Sequence, residues 1–344
     1  MNSTTFFELF SVLLFSSLIL GACESDLARR ISKYEKTRDY DSAKKVLRRT
    51  IQGNPQNAEA HFLLGRIRMQ QRNYRKGIAS LKKSRELSAR FVDEIEFLKE
   101  KYAHEEFKNG KEASSSGAFQ EAISHFRKVT RIQPSNSTGH LALGHAFVES
   151  GKSQQAEQAY KRAVKVEPSV EALNNLSALS FKREAYSDAI RYSRQALDLD
   201  TEASSRARPE LVKRLAYAHL QAGQFSKARE RFREALQVDP SSELRRDYAF
   251  ALYNRQKYKE ALPLLKQLRS VQETNREVLH ALGETYLSLD RPEKAKEVYL
   301  ALHQKNPQDK DALQSLVIAY QLMDREKKAS KYLDQLNSLS NESK

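Results

Sequence analysis

Apolar positions recur along this chain at helical spacing, in a pattern that repeats every 33 or 34 residues. In each repeat the pattern predicts a helix, a tight turn and a second helix, often closed by a proline. The clearest copy covers residues 137–169. One such pair of helices cannot bury its apolar face alone, so successive copies must stack against each other. The pattern therefore predicts an all-α repeat protein, and no run of residues has the alternation of a β-strand.

Small and large positions define the contact between the two helices of a copy. A small residue early in the second helix faces the first and lets the helix axes approach to about 8–10 Å. It is Gly77 in one copy and alanine in the other eight: Ala43, Ala122, Ala156, Ala189, Ala228, Ala261, Ala295 and Ala329. Four residues later, on the same helix face, a large side chain stands in every copy except the one with Ser193: Leu47, Leu81, Phe126, Tyr160, Phe232, Leu265, Tyr299 and Leu333. The first helix has its own small position: Gly65, Gly110, Gly144, Ala216, Ala249 and Gly283.

Prolines mark the ends of the copies. A proline stops a helix because it lacks an N–H donor and restricts the preceding residue. Five of the eight prolines share one register: Pro55, Pro134, Pro168, Pro240 and Pro307.

Together these positions resemble the tetratricopeptide repeat family over nearly the whole chain after residue 24. The resemblance implies a right-handed α-solenoid of about nine tandem helix-turn-helix units. We place the copies at 24–57, 58–91, 103–136, 137–169, 170–203, 209–241, 242–275, 276–309 and 310–344. The chain lacks the tryptophan that is common at the fourth position of the family, and His61 and His140 stand there in two copies.

Two insertions interrupt the period and are the expected subdomain boundaries. Residues 92–102 either lengthen the first helix of the third copy or form a separate short helix. Residues 204–208 form a shorter insert before Pro209, a favourable first residue of a helix. The predicted organisation is therefore copies 1–2 at 24–91, copies 3–5 at 103–203 and copies 6–9 at 209–344.

Residues 1–22 form a candidate signal peptide. Residues 6–22 are apolar apart from Glu8 and a few hydroxyl groups, and their length suits the apolar region of a signal better than a membrane span. They run into Leu20-Gly21-Ala22-Cys23, which resembles a bacterial lipobox. The resemblance implies cleavage before Cys23, which is the only cysteine, and attachment of acyl chains to it. Two or more chains anchor a protein stably.

One feature argues against a signal peptide. No lysine or arginine precedes the apolar run, and the first cations, Arg29 and Arg30, follow it. The alternatives are a plain cleaved signal, an uncleaved membrane anchor, and a misplaced start codon before a cytoplasmic body.

The net charge of +15 permits nucleic acid, anionic lipid or cell-wall polymer as a partner. Cations are interspersed with acids along most helices, so many are expected to form i,i+4 pairs or solvated faces. No nucleic-acid-binding motif is present, and we do not expect DNA or RNA binding. Attraction to an anionic surface is favoured if the protein is tethered beside one.

No combination of residues predicts catalysis. The eight histidines are scattered, and the spacing of His140 and His145 is poor for sharing a metal ion on a helix. A glycine-rich phosphate loop and a GxSxG motif are missing, and we interpret Glu105 and Glu106 as ordinary exposed charge. We expect no cofactor and no enzymatic activity.

The first helices are the expected binding surface. In tetratricopeptide proteins these helices line a concave groove that takes extended peptides or helices. The resemblance implies partner contacts by twelve side chains: Phe62, Arg66, Met69, Phe107, Lys111, Asn174, Phe181, Lys213, Tyr217, Arg246, Phe250 and Tyr253. Aromatic groups beside cations suit partners with acidic and apolar side chains, and tyrosine and arginine are frequent hot spots. The lysine–asparagine pairing with which some members clamp a C-terminal carboxylate does not occur in register.

An apolar edge on the last copy, formed by Leu333, Leu336 and Leu339, predicts self-association or partner binding, unless the end of the chain simply frays. Altogether we expect a lipid-anchored adaptor of the bacterial cell envelope. The alternatives are a soluble cytoplasmic scaffold and an envelope protein that binds an anionic polymer.

Overall fold

The computed structural model describes residues 25–201, 206–271 and 275–341. These residues form eighteen α-helices and no strand, in nine consecutive helix pairs. The all-α repeat fold predicted from the sequence is confirmed. The predicted signal peptide and Cys23 lie outside the described residues, and no helix within them is long and apolar enough to cross a membrane.

The chain divides into two compact units, Met1–Glu167 and Pro168–Lys344. In unit 1 the helices are α1 (Asp26–Lys36), α2 (Tyr40–Gly53), α3 (Ala58–Gln70), α4 (Tyr74–Leu87), α5 (Val92–Ser115), α6 (Phe119–Ile132), α7 (Ser137–Glu149) and α8 (Ser153–Val166). In unit 2 they are α9 (Val170–Lys182), α10 (Tyr186–Leu199), α11 (Arg208–Gln221), α12 (Phe225–Val238), α13 (Ser242–Tyr253), α14 (Tyr258–Val271), α15 (Arg276–Ser288), α16 (Pro292–Lys305), α17 (Lys310–Gln321) and α18 (Glu326–Asn341). Odd numbers are first helices of a pair and even numbers are second helices.

Capping side chains start most first helices. Seven of the nine have a serine, asparagine or aspartate whose side chain accepts a backbone N–H three residues on: Ser25, Asn57, Asn136, Ser169, Ser241, Asn275 and Asp309. The other two, α5 and α11, follow the two insertions. Helix α11 begins with a proline in its first turn, as the sequence predicts.

A left-handed residue joins the two helices of every pair. Only three of the nine are glycine, and all recur at the repeat period apart from the two insertions: Arg38, Arg72, Gly117, Gly151, Glu184, Gly223, Gln256, Asp290 and Asp324. The next backbone N–H groups bond to carbonyls at the end of the first helix, as when Asn73 N–H donates to Arg68 O at 2.9 Å. The turn therefore reverses the chain at a fixed point in each pair.

The small positions lie where the helices meet. All nine small residues of the second helices are buried. A Cβ added at Gly65 or Gly110 would come within 2.6 Å of Leu81 or Phe126, the large residue of the facing helix. The predicted contact between small and large positions is thus how each pair packs.

One pair uses a polar contact instead. Ser177 and Ser193 occupy the two matching positions of α9 and α10, both are fully buried, and their hydroxyl oxygens lie 2.6 Å apart. The Ser177 hydroxyl also donates to Ala189 O at 3.2 Å. The pair satisfies its own hydrogen bonds, as burial requires.

The first insertion extends a helix. Residues 92–115 form the single 24-residue helix α5, preceded by a 3₁₀ turn at Ala89–Phe91. Phe91, Ile95 and Leu98 are buried along one face. Of the two alternatives, the structure shows the lengthened first helix of the third pair.

Candidate partner-binding surface

The first helices of unit 2 bring predicted binding residues together. Tyr217 on α11 donates its hydroxyl to Asp247 on α13, and Tyr253 on α13 donates to Glu284 on α15. Phe250 packs edge-on to Tyr253, with ring centroids 6.2 Å apart. All three aromatic residues are half-buried. We call these five residues the tyrosine–carboxylate strip.

Burial and the carboxylate partners keep the two tyrosines of the strip protonated. Burial raises the pKa of both Tyr217 and Tyr253, and the hydrogen bonds to Asp247 and Glu284 raise it further. The hydroxyl groups therefore remain neutral donors at physiological pH. Each bond also ties one first helix to the next, so the strip is held in place before any partner arrives.

The predicted cations flank the strip, and each lies beside an acid. Lys213 Nζ is 2.7 Å from Glu210, whose hydrogen bond raises the pKa of the lysine. Arg246 Nε lies 3.8 Å from Asp247. The surface around the aromatic rings therefore has mixed charge, rather than the aromatic and cationic character that the sequence predicts.

Asn174 and Phe181 lie on α9 in the same unit. The guanidinium of Arg214 on α11 donates to Asn174 Oδ1 at 2.6 Å. Burial lowers the pKa of Arg214, and the amide is its only side-chain hydrogen-bond partner in the described residues. Phe181 packs edge-on to Tyr186 at 5.6 Å. These two predicted residues thus contact neighbouring helices within unit 2.

Two predicted residues of unit 1 belong to the core. Met69 has no exposed surface, and its sulfur lies where a Cβ at Gly77 would be only 2.9 Å away. Phe62 is buried against Phe91, with stacked rings 4.9 Å apart. The prediction that they contact a partner is wrong, because Phe91 of the 3₁₀ turn covers Phe62 and the facing helix α4 covers Met69.

Arg66 forms a bidentate ion pair within unit 1. Its guanidinium lies 2.7 Å and 3.1 Å from the two carboxylate oxygens of Glu35 on α1, and both side chains are partly buried. This geometry joins the first two pairs of unit 1.

Phe107 and Lys111 lie together on α5. Phe107 packs against Phe126 with ring centroids 5.6 Å apart, and Lys111 is exposed. With His104 and Lys108 they line one side of an open depression. Contact of Phe107 and Lys111 with a partner stays a prediction.

The sequence analysis is wrong about one carboxylate in unit 1, that of Glu106. Glu106 is fully buried rather than exposed, and it accepts hydrogen bonds from Tyr74 at 2.7 Å and Lys128 at 3.1 Å. His125 Nδ1 lies 2.5 Å away and Arg72 Nη1 3.3 Å away. Burial alone would raise the pKa of Glu106, but these hydrogen bonds outweigh it and hold the pKa below the ordinary value. The cluster joins α4, α5 and α6.

The acidic partners that sequence reasoning missed lie at a nearly constant distance along the chain from the residues they bind. Tyr217–Asp247, Tyr253–Glu284 and Arg66–Glu35 are separated by 30 or 31 residues. A residue thus contacts the equivalent helix of the next pair about one turn away from its own repeat position. Complementary side chains at this separation are a signal for contacts between pairs.

Two histidines at the family's tryptophan position have a structural role. His61 Nε2 lies 3.1 Å from Pro55 O and His140 Nε2 lies 2.9 Å from Pro134 O, so each ties a first helix to the preceding proline turn. Among the described residues, no group of three histidine, cysteine, aspartate or glutamate side chains is arranged to hold a metal ion.

The predicted apolar edge on α18 is partly exposed. Leu333 is 42% exposed, whereas Leu336 and Leu339 are half-buried. Self-association through this edge stays a prediction.

Family models described as tetratricopeptide repeats match residues 184–341 in one case and residues 31–89 and 141–204 in the other. Among curated proteins, the TPR repeat-containing protein YpiA of Bacillus subtilis is 28% identical over 52% of this chain and 41% of its own length. Small glutamine-rich tetratricopeptide repeat-containing protein 2 of Mycosarcoma maydis is 36% identical over 20% of this chain and 19% of its own. The chain therefore spans less than half the length of these relatives.

Solved structures with a similar fold are more distant in sequence. A tetratricopeptide repeat protein from Parabacteroides merdae is 16% identical, with a TM-score of 0.45 over 70% of this chain and 93% of the other. The PilF protein of Pseudomonas aeruginosa is 18% identical, with a TM-score of 0.43 over 63% and 97%.

Proposed function

Because the chain belongs to the tetratricopeptide repeat family, whose members are typically non-catalytic protein-interaction scaffolds, we propose that it is an adaptor of the bacterial envelope. It binds a peptide or helix of a partner protein on the first helices of unit 2. A lipid on Cys23 holds it at the membrane.

The observation that carries the binding proposal is the tyrosine–carboxylate strip. Its aromatic rings lie half-exposed on consecutive first helices, and the bonds Tyr217–Asp247 and Tyr253–Glu284 fix them in place. A surface ordered in advance loses little conformational entropy when a partner binds. Aromatic rings supply apolar contact area, and the mixed charge around them, where Lys213 lies beside Glu210 and Arg246 beside Asp247, supplies polar contacts to the partner.

A comparison of two double variants tests this proposal. Phe250→Ala with Lys213→Ala removes apolar area and a cation at the strip, while Lys259→Ala with Lys266→Ala changes exposed residues of the second helix α14. Tagged proteins are used to retain envelope proteins, which are then quantified by mass spectrometry. We expect the first variant to lose specific partners and the second to keep them. Equal retention by both variants would contradict binding at the strip.

The anchoring proposal rests on the apolar run and the tetrapeptide that ends at Cys23. Labelling of cells with radioactive palmitate tests it. The wild-type chain should incorporate label and Cys23→Ala should not. An unlabelled wild-type chain would contradict anchoring by a lipid on Cys23.

A further inference from the structure

Net charge is concentrated in the first two helix pairs. Residues 25–90 contain 18 lysines and arginines against six aspartates and glutamates, a net +12, whereas residues 91–344 contain 41 against 36, a net +5. About a fifth of the chain that follows Cys23 thus carries most of the +15 total. The mixed charge predicted for most helices holds for the later copies and not for this region.

The cations of this region cluster on the second helices α2 and α4. Lys45, Arg48 and Arg49 on α2 and Lys82 and Lys83 on α4 are exposed. We call these five residues the basic face. Within the described part of the chain, the three cations on α2 form no ion pair, and the two on α4 share one carboxylate, Glu86, at 3.8 Å.

A groove lined by α2, α3 and α4 has no carboxylate in its lining. It has a volume of about 380 Å³, and its polar lining includes Arg48, Arg68, Lys83, His61 and Ser80. Arg68 Nη1 bonds to Ser80 Oγ at 2.5 Å. Burial, and then repulsion from Arg48, lowers the pKa of Arg68. The groove therefore concentrates positive charge, and among the described residues Arg48 and Arg68 have no acidic partner while Lys83 has only Glu86, on its own helix.

Equivalent positions in unit 2 do have an acid. There Arg229 on α12 lies 3.1 Å, and Arg233 3.4 Å, from the carboxylate of Glu260 on α14. Relative to the small residues of the repeat, these arginines correspond to Lys44 and Arg48, and Glu260 corresponds to Lys76. The first two pairs thus carry a cation at the position where a later pair carries the neutralising anion.

We infer that the basic face of α2 and α4 docks on the anionic phospholipid headgroups of the membrane that holds the lipid anchor. This inference rests on the proposed anchoring at Cys23. Helix α1 begins at Asp26, three residues after Cys23, so at most roughly 10 Å of extended chain separates them. A cluster of lysine and arginine next to a membrane attachment point is attracted to anionic lipid, and a lipid with a basic surface binds more firmly than a lipid alone.

Docking by the basic face would orient the first two helix pairs relative to the membrane. The second helices α2 and α4 then face the lipid, and His61 and Arg68 of the first helix α3 line the groove beside them. Headgroup phosphates that occupy the groove would supply the anion that Glu260 supplies in unit 2.

The test compares two quadruple variants of the full chain on vesicles. The first, Lys45→Gln, Arg48→Gln, Arg49→Gln and Lys83→Gln, neutralises the basic face. The control, Lys227→Gln, Lys257→Gln, Lys259→Gln and Lys266→Gln, removes the same charge from exposed positions on or beside α12 and α14 in unit 2. Flotation is measured with phosphatidylcholine vesicles and with equimolar phosphatidylcholine and phosphatidylglycerol at physiological ionic strength. Circular dichroism melts confirm that both variants fold like the wild type.

We expect the wild type and the control to bind the anionic vesicles more strongly than the neutral ones, and the basic-face variant to lose at least about tenfold of its binding to anionic vesicles. Binding to neutral vesicles reports the apolar N-terminus and should be equal for all three chains. An unchanged basic-face variant, or an equal loss in the control, would overturn the inference. So would binding of a DNA duplex by the same four residues without binding to anionic vesicles.

The two proposals fail in different ways. If Cys23 takes up no palmitate while the basic face still distinguishes anionic from neutral vesicles, the anchor is wrong and the lipid-binding surface stands alone. If palmitate is incorporated and the charge variants behave alike, the anchor stands and the basic face does not touch the membrane.

Discussion

A glycine in the first helix sets the distance between the two helices in several pairs. A Cβ at Gly110 would lie 2.6 Å from Phe126 Cε1, and the Phe126 ring is buried and packs against Phe107. We expect Gly110→Ala to lower the free energy of unfolding by about 1–3 kcal/mol. Gly53→Ala is the control, because nothing lies within 4 Å of the added carbon. Urea denaturation measures both, and an equal effect of the two substitutions would contradict this packing.

The Glu106 cluster predicts acid sensitivity in unit 1. Because the pKa of Glu106 is lower when folded, its contribution to stability is fully present above the unfolded value of about 4.3 and is lost as pH falls through the folded pKa. We expect Glu106→Gln to cost about 1.5–3 kcal/mol at neutral pH and less at pH 3. Denaturation followed at the two pH values checks this. A cost that does not change with pH would show that the carboxylate charge is irrelevant.

Single positions differ in how much the sequence reveals about them. The buried alanines at repeat positions are predictable, because every copy repeats the same contact. The burial of Glu106 and Met69 is not, because it depends on which side chains of neighbouring helices lie against them: Tyr74 and Lys128 against Glu106, and the space left at Gly77 for Met69. The partners Asp247 and Glu284 were predictable in principle, since the 30- or 31-residue separation from the tyrosines is fixed by stacking of pairs.

At the level of helix pairs, α9 and α10 differ from the others by using serines. A tyrosine at position 193 would collide with Ser177, whose hydroxyl already lies 2.6 Å from Ser193. We expect Ser193→Tyr alone to destabilise the chain by about 1–3 kcal/mol, and adding Ser177→Gly to recover part of the loss. Thermal melts of the two single variants and the double variant measure the coupling. Strict additivity would show that the two positions do not share one space.

At the left-handed turns between helices, replacing a glycine and introducing one should have unequal effects on stability. Gly151 has φ of 74°, where a side chain is strained, so Gly151→Ala should lower stability by about 1 kcal/mol. Glu184 already accepts that conformation with φ of 60°. We expect Glu184→Gly to be nearly neutral, because relief of strain is offset by the greater freedom of glycine in the unfolded chain. Chemical denaturation of both variants checks the asymmetry, and a neutral Gly151→Ala would contradict it.

For the whole molecule, the two ends of the described chain have different surface chemistry. The first two pairs carry most of the net charge, while the first helices of unit 2 carry aromatic rings fixed by carboxylates. Repeat periodicity predicts the stacked pairs but says nothing of this division, because charges on solvated faces are free to vary between copies. The division suits a protein that meets a membrane with one part and a partner with another.

Photo-crosslinking in cells tests the central claim most directly. A benzophenone amino acid replaces Phe250 on the first helix α13 or, as the matched position, Lys266 on the second helix α14 of the same pair. We predict a discrete protein adduct from position 250 and none from position 266. No adduct at position 250, or the same adducts at both positions, would contradict partner binding by the first helices.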